Sequence, residues 1–231
     1  MEAYLVVGVF ALIFWSFQLA PQAWDNWRRR STEGLSSLMM LSWTFGSLAT
    51  AIYNIGDKVG GSYSALFIIQ PNLFMVFSVT CWAQTVCHQQ GSTNIGIAAG
   101  TGLVVILILC EVVGSIYLLR SDDKGGILTA LGSLSLVFFA IGFLPQYWQI
   151  YTARKVEGIS LLFLAIDMTG SVLSMTSLAM QDHFEPISGA CYIIVFVCDL
   201  LIVIMHFFLP MVYKPLKPLS ELSEDVWDDC V

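Results

Sequence analysis

Long apolar runs alternate with short polar segments along the whole chain. A membrane-spanning helix needs roughly 20 mostly apolar residues to cross the hydrocarbon core. The segments between the runs are rich in Gly, Ser, Asp, Lys and Arg, which turn a chain at a water interface. The pattern predicts seven membrane-spanning helices, at about residues 4–24, 36–55, 63–87, 95–119, 127–150, 159–180 and 187–212.

The composition agrees with a membrane location. Only 12% of the 231 residues are charged and 57% are hydrophobic, whereas a soluble domain carries about 25% charged residues. We therefore expect an all-α integral membrane protein that crosses the lipid bilayer several times. Acids crowd the end of the chain and predict a solvated tail rather than a binding face for a basic partner. They are Glu221, Glu224, Asp225, Asp228 and Asp229.

The motifs of most enzymes are missing from the sequence. It has no Ser-His-Asp set, phosphate-binding loop, cofactor motif or metal-binding cluster, and its six cysteines have no CxxC spacing. We therefore expect no enzyme activity, no cofactor and no bound metal. The basic cluster at residues 28–30 is explained by its position beside a span, so no nucleic-acid partner is expected.

Basic residues predict the orientation of the chain, because Lys and Arg favour the cytoplasmic side of short loops. With a lumenal or extracellular amino end, seven basic residues face the cytosol and three face the opposite side. The cytosolic set is Arg28, Arg29, Arg30, Arg154, Lys155, Lys214 and Lys217, and the other set is Lys58, Arg120 and Lys124. The distribution predicts a lumenal amino end and a cytosolic acidic tail.

An offset of 124 positions brings two parts of the chain into register without a gap. Helices match by chance through shared Leu and Val, but matches of Pro, Gln, Trp, Arg and Glu indicate an internal duplication. The matched pairs are Pro21 and Pro145, Gln22 and Gln146, Trp24 and Trp148, Arg30 and Arg154, Glu33 and Glu157, Gly34 and Gly158, and Ser36 and Ser160.

The duplication predicts the architecture. Span one corresponds to span five, two to six and three to seven, which leaves span four as a linker. An odd linker restores the orientation of the second triplet, so we expect two parallel three-helix repeats, as in one class of transporters. A seven-helix receptor has no such duplication. The predicted units are residues 1–90, the linker helix 91–122, residues 123–213 and the tail 214–231.

The repeated stretches QLAPQAWDNWRRRSTEGLS and GFLPQYWQIYTARKVEGIS resemble the PQ-loop repeat family, which includes cystinosin, lysosomal cationic amino-acid exporters and SWEET sugar carriers. The resemblance covers nearly the whole chain, and the second half is the more similar to cystinosin. It implies a carrier of small solutes that works by alternating access, at a lysosomal or vacuolar membrane.

The Pro-Gln pairs are candidates for a gating hinge. Proline in a helix removes a hydrogen bond and weakens or bends the helix, and the glutamine could donate to the freed carbonyl or to a neighbouring helix. Two copies in register favour a hinge, formed by Pro21, Gln22, Pro145 and Gln146. A static bend that packs the bundle is the alternative.

Two acids lie inside predicted spans. A charged side chain at the centre of a membrane helix costs roughly 2.5–3.5 kcal/mol on insertion scales, so it marks a functional candidate. Asp167 corresponds to Trp43 in the first half, so the fold itself does not require an acid there. Resemblance to cystinosin implies that Asp167 and Asp199 couple proton movement to transport. A buried hydrogen-bond acceptor is the alternative, and we expect Glu111 in span four to be structural or interfacial.

Other polar residues and one aromatic residue are candidates for the lining of a substrate site. They are Gln70 and Asn72 in the third span, Trp43 and Asn54 in the second, and Thr169 and Ser174 in the sixth. Cystinosin-like proteins carry an acid near the start of the third span. Here that region reads IQPN, which puts a proton stoichiometry or substrate copied from cystinosin in doubt.

The leading functional hypothesis is a proton-coupled transporter of a small polar solute. We expect an amino acid, such as cystine or a cationic amino acid, to move from an acidic vacuole or lysosome to the cytosol. A SWEET-like sugar facilitator and a non-transporting regulator of lipid distribution or trafficking are the alternatives. The tail, through Ser220 and Ser223, is a candidate site for a cytosolic adaptor, and self-association as a homo-oligomer is a further option.

Overall fold

A computed structural model describes residues 3–58, 64–181 and 186–212, and the acidic tail with its predicted adaptor site lies outside them. The regular elements of the described part are all helices. They are α1 (Ala3–Phe17), α2 (Ala20–Arg29), α3 (Ser37–Lys58), α4 (Ser64–Gln90), α5 (Thr93–Arg120), α6 (Lys124–Ala153), α7 (Leu161–Ala179) and α8 (Pro186–Val212). Apart from the first span, the predicted limits agree with these helices to within a few residues.

The first predicted span is two helices rather than one. The chain turns at Gln18 and Leu19, and Pro21 lies in the first turn of α2, where its missing N–H costs no helical hydrogen bond. The matching Pro145 lies inside α6, which continues to Ala153. The same motif therefore accompanies a helix break in one repeat and an unbroken helix in the other.

Within the described residues, five stretches are long and apolar enough to cross a membrane. They are Ala3–Arg29, Thr93–Arg120, Lys124–Ala153, Leu161–Ala179 and Ser188–Val212. The prediction of seven spans is thus confirmed in part, because α3 and α4 do not meet this criterion. The helix α3 packs against α4, α5 and α6, so much of its surface faces protein and can carry polar residues.

The helix contacts follow the duplication. Under the offset of 124, α1 corresponds to α6, α3 to α7 and α4 to α8. The contacts α1–α4, α3–α4 and α1–α7 have their counterparts in α6–α8, α7–α8 and α6–α3. The helix α5 packs mainly against α3 and α4. The contacts between the two parts of the chain are therefore themselves repeated.

An aromatic cluster forms the centre of the bundle. The Trp43 side chain is 2% exposed, and its ring centroid lies 5.1 Å from that of Phe143, 5.9 Å from Phe163 and 6.0 Å from Phe74. Its indole Nε1 donates to the Phe139 carbonyl at 3.2 Å. The residue predicted to wall a substrate cavity is thus packed among aromatic rings from both parts of the chain.

Candidate functional site

The glutamines of the two Pro-Gln pairs bind the opposite repeat. Gln146 is fully buried; its Nε2 donates to the Gly34 carbonyl at 2.8 Å and its Oε1 accepts from the Ser36 N–H at 2.8 Å. Gln22, also fully buried, makes the same two bonds to Gly158 and Ser160, each at 2.7 Å. Each glutamine therefore fastens the loop that follows the other glutamine.

These bonds bring together two loops at one end of the bundle, residues 30–36 and 154–160, which we call the Glu-Gly loops. Gly34 and Gly158 have φ values of +83° and +79°. A Cβ atom on either glycine would overlap the main-chain carbonyl of the glutamate in the other loop. Only glycine suits both this conformation and this contact, so the loops abut through bare backbone.

Charged side chains surround the Glu-Gly loops. The Lys155 ammonium lies 2.7 Å from the Glu157 carboxylate, and hydrogen bonding to that carboxylate raises the pKa of Lys155. Both side chains are about half exposed, so solvent screens the pair and its contribution to stability is small. The Arg29 side chain adds a bond of 3.3 Å to the Gly158 carbonyl, which therefore accepts from two donors.

The first repeat extends the glutamine contact into a longer polar chain. Gln22 Nε2 also donates to Asn26 Oδ1 at 2.9 Å, and Asn26 Nδ2 donates to Gln84 Oε1 at 2.8 Å. Gln84 Nε2 returns to the Ala23 carbonyl at 3.0 Å. The positions matching Asn26 and Gln84 are Ile150 and Phe208, so the second repeat cannot make this chain. The two repeats therefore make the same glutamine bonds to the Glu-Gly loops, but only the first repeat has the additional polar chain through Asn26 and Gln84.

The two predicted intramembrane acids meet. Asp167 on α7 and Asp199 on α8 are 2% and 0% exposed, and their carboxyl groups lie close enough to interact electrostatically. Among the described residues, no Lys, Arg or His pairs with either group, and both Asp199 oxygens lack a hydrogen-bond donor. The structure therefore forms a carboxyl pair without a cation.

The surroundings of the acid pair differ from the matching place in the first repeat. There, Trp43 lies over Gly142, where a Cβ atom would come within 2.6 Å of the indole ring. Under the offset of 124, Trp43 corresponds to Asp167 and Gly142 corresponds to Gln18. The Gln18 side chain is 3% exposed, and its Oε1 has no partner among the described residues. A Trp-Gly contact in one repeat is thus replaced by two polar residues in the other.

Trp15 and Tyr147 contribute to the environment of the acids. The Trp15 ring lies directly on Gly170, one helical turn from Asp167, and stacks edge-on against Tyr192 with centroids 5.6 Å apart. The Tyr147 hydroxyl donates to the Cys198 carbonyl at 2.8 Å, beside Asp199. The sequence alone does not assign Trp15, Tyr147, Gln18, Asn26 or Gln84 to a site. Its one indication is that the offset of 124 pairs Gln18 with Gly142, so the two repeats differ at this position.

Two of the predicted lining residues make specific bonds between helices. Asn54 Nδ2 donates at 2.7 Å to the carbonyl of Phe67, the group that Pro71 leaves without its helical N–H donor. Asn72 Nδ2 donates at 3.0 Å both to the Ile68 carbonyl and to Glu111 Oε1.

The remaining lining candidates are Thr169, Gln70 and Ser174. Thr169 is exposed and bonds to the Ala165 carbonyl at 2.7 Å. It lines an apolar groove of about 530 Å³ whose walls include Phe196 and Phe207. Gln70 and Ser174 are half-buried. The predicted roles of these residues in substrate binding stay predictions.

A protein-family model matches the chain once in each repeat. The model described as "PQ loop repeat" matches this chain twice, at residues 3–62 and 127–187. The chain belongs to the PQ-loop repeat family. Both matches contain a Pro-Gln pair and a Glu-Gly loop, so the family match covers the two elements that cross-bind in the structure.

Individual relatives agree with this assignment. An uncharacterised protein of Schizosaccharomyces pombe is 32% identical over 220 residues, covering 90% of this chain and 73% of that protein. An uncharacterised membrane protein of Saccharomyces cerevisiae is 29% identical over 188 residues, covering 78% and 59%. Cystinosin of Bos taurus is 24% identical over 199 residues, covering 77% and 53%. The chain thus spans about half the length of the cystinosin that it matches.

Proposed function

We propose that this protein is a proton-coupled transporter of a small polar solute. Membership of the PQ-loop repeat family and similarity to cystinosin support a transporter-type function. The observation that carries the proton coupling is the Asp167–Asp199 carboxyl pair. An ionisable group inside the membrane that has no cation partner is a functional candidate, and here two such groups interact with each other.

The chemistry of the pair suits reversible proton binding. Two carboxylates in contact repel each other when both are ionised, so they are expected to share one proton. Separating α7 from α8 would remove this restraint, so a change in helix packing would change the number of protons held. A solute that favours one packing arrangement would then move together with a proton.

The proposed architecture is two parallel triplets, α1–α4 and α6–α8, joined by α5. The repeated helix contacts and the reciprocal glutamine bonds support it. In this account the Glu-Gly loops form the closed cytosolic end of the pathway, and Pro21 and Pro145 allow the helices beside them to bend. Pro21→Ala and Pro145→Ala should each slow transport while leaving the protein in the membrane; normal transport by both variants would contradict the hinge.

The proposed transport runs from an acidic vacuolar or lysosomal lumen to the cytosol, with the amino end in the lumen. An amino acid, cystine or a cationic one, is the proposed substrate class. The resemblance of the second half to cystinosin supports this choice, while Gln70 and Asn72, in the region where cystinosin-like proteins carry an acid, leave room for a different solute or stoichiometry.

The test is uptake of radiolabelled solutes by proteoliposomes. Vesicles acidic outside and neutral inside are compared with vesicles at equal pH, for cystine, lysine, arginine and glucose. We expect an amino acid to accumulate only with the gradient. Asp167→Asn and Asp199→Asn should each abolish gradient-driven accumulation, whereas Asp122→Asn, which changes an exposed carboxylate between α5 and α6, should retain it.

The outcomes separate the hypotheses. If Asp167→Asn still accumulates solute with the gradient, the acid pair does not couple protons. Equilibration of glucose independent of the gradient would favour a SWEET-like facilitator. Vesicles that contain folded protein but move none of these solutes would favour a non-transporting regulator.

A further inference from the structure

A third acid lies inside the apolar part of the protein, far from the Asp167–Asp199 pair in sequence. Glu111 is the nineteenth of the 28 residues of α5, so roughly 27 Å of helix precede it and roughly 14 Å follow it at 1.5 Å per residue. Its sequence neighbours Val112 and Val113 are 51% and 65% exposed, as expected of side chains that face lipid. Glu111 therefore lies at hydrocarbon depth rather than at a helix end.

The glutamate lies on the inner face of α5. Leu107, Ser115 and Leu118, which follow the helical repeat with Glu111, are 1%, 7% and 0% exposed. A Cβ atom on Gly114 would lie 2.8 Å from the Ile52 side chain of α3. Glu111 thus belongs to the stripe that packs on α3 and α4, and it is half-buried there.

The contacts of Glu111 are polar but neutral. Its Oε1 accepts a hydrogen bond of 3.0 Å from Asn72 Nδ2 on α4. The same amide nitrogen donates to the Ile68 carbonyl. Because the Ile68 carbonyl and Glu111 Oε1 are both acceptors, the NH₂ group of Asn72, and not its oxygen, must face them. Ser115, one helical turn from Glu111 on the same face, is 7% exposed, and its hydroxyl has no partner among the described residues.

Ionisable residues on the helices around α5 do not neutralise Glu111. In the described ranges of the chain, none of them forms an ion pair with it. The described residues of this kind are Tyr53 and Asp57 on α3, Cys81, Cys87 and His88 on α4, and Lys124, Tyr147 and Tyr151 on α6.

We propose that Glu111, together with Asn72 and Ser115, forms a second proton-binding site, between the linker helix α5 and α4. The ionised carboxylate accepts from the Asn72 amide, as in the structure. One proton taken from water onto a carboxylate oxygen gives the neutral acid; no other bond is made or broken. The unpartnered Ser115 hydroxyl, one helical turn away on the same face, would accept from the new O–H group after a change of side-chain rotamer. An N–H donor aimed at Oε1 argues against Ca²⁺ or Mg²⁺ at this position, because these cations require oxygen ligands.

Proton binding at Glu111 is separate from the proposed transport function, and it can be tested without a solute. A proton gained at Glu111 would weaken the Asn72 bond, because a neutral acid is a poorer acceptor than a carboxylate, and so would alter how the linker helix attaches to the first triplet. Asn72 would then position an ionisable group rather than bind substrate.

The test is infrared difference spectroscopy of the full chain in lipid vesicles, between acidic and alkaline pH. Glutamate labelled with carbon-13 at the side-chain carboxyl separates its bands from those of aspartate. We expect one protonated-carboxyl band, typical of an apolar environment, to be lost in Glu111→Gln and retained in Asp167→Asn and Asp199→Asn. Asn72→Leu should shift the frequency of the matching carboxylate band, because that band loses its hydrogen bond.

Three results would overturn the proposal. The band could be unchanged in Glu111→Gln, which would assign it to another glutamate. The Glu111 carboxyl could keep one protonation state over the whole pH range. The spectrum could respond to sodium at fixed pH instead of to pH, which would make the site a cation site. Because the readout is proton binding, failure of transport does not decide it.

Discussion

Replacing Gln146 by Met tests the cross-binding of the repeats, because methionine keeps the length of the side chain but cannot form either bond. The variant loses the bonds to Gly34 and Ser36, each 2.8 Å long. Ser36 is 5% exposed, so its N–H stays buried without an acceptor, whereas Gly34 is partly exposed and water can reach its carbonyl.

The expected cost follows from these two groups. A lost hydrogen bond costs about 1 kcal/mol net, and a buried polar group left unpaired costs about 1–3 kcal/mol. We therefore expect Gln146→Met to lower the free energy of unfolding by about 2–4 kcal/mol, which corresponds to a fall of roughly 4–16 °C in Tm for a chain of this size. Thermal unfolding of the detergent-purified protein, followed by tryptophan fluorescence, measures it.

Gln149 provides the matched control. It lies one turn further along the chain, and its buried Oε1 has no partner among the described residues. Gln149→Met removes no hydrogen bond and should change Tm by less than about 2 °C, on the scale of ordinary neutral substitutions. Equal Tm values for Gln146→Met and Gln149→Met would refute the inference that the Pro-Gln glutamine holds the two repeats together.

Two further substitutions test the local structure. Asn54→Leu should cost about 1–2 kcal/mol of unfolding free energy, because it removes the hydrogen bond from Asn54 to the Phe67 carbonyl. The cost should be smaller in a Pro71→Ala background, where the alanine N–H can bond that carbonyl. Equal costs in both backgrounds, measured in a double-mutant cycle, would contradict this role of Asn54. Gly158→Ala should lower Tm much more than Gly91→Ala. Both glycines have positive φ, but a Cβ atom at Gly91 meets nothing within 4 Å, whereas one at Gly158 overlaps the other Glu-Gly loop. Similar Tm values for the two variants would show that the contact between the Glu-Gly loops is not tight.

The repeat could be predicted from sequence because its evidence is local. Pro, Gln, Trp, Arg and Glu-Gly recur at one offset, and hydrophobic run lengths define helix limits to within a few residues. The loop partners of Gln22 and Gln146 could not be predicted, because each of these partners lies more than 100 residues away in sequence. Only the folded arrangement of the two halves brings a glutamine to the opposite loop.

The break before Pro21 illustrates a second limit. Pro21 and Pro145 lie in nearly identical motifs, yet one begins a helix and the other lies within one. Tertiary packing decides between these outcomes, since proline only weakens the local helix.

The acid pair was predictable as two separate candidates but not as a pair. Asp167 and Asp199 are conspicuous in apolar runs, but their contact depends on how α7 packs on α8. The same holds for Glu111, whose hydrogen bond to Asn72 connects two helices that the sequence predicts only as neighbours along the chain.

We propose that solute and protons cross the membrane together through the Asp167–Asp199 pair. The direct measurement is proton entry into proteoliposomes containing a trapped pH-sensitive dye, after addition of an unlabelled amino acid outside at equal starting pH. We expect solute-dependent acidification of the interior with the unmodified protein and none with Asp167→Asn or Asp199→Asn. Solute entry without acidification by the unmodified protein, or unchanged acidification by either variant, would contradict it.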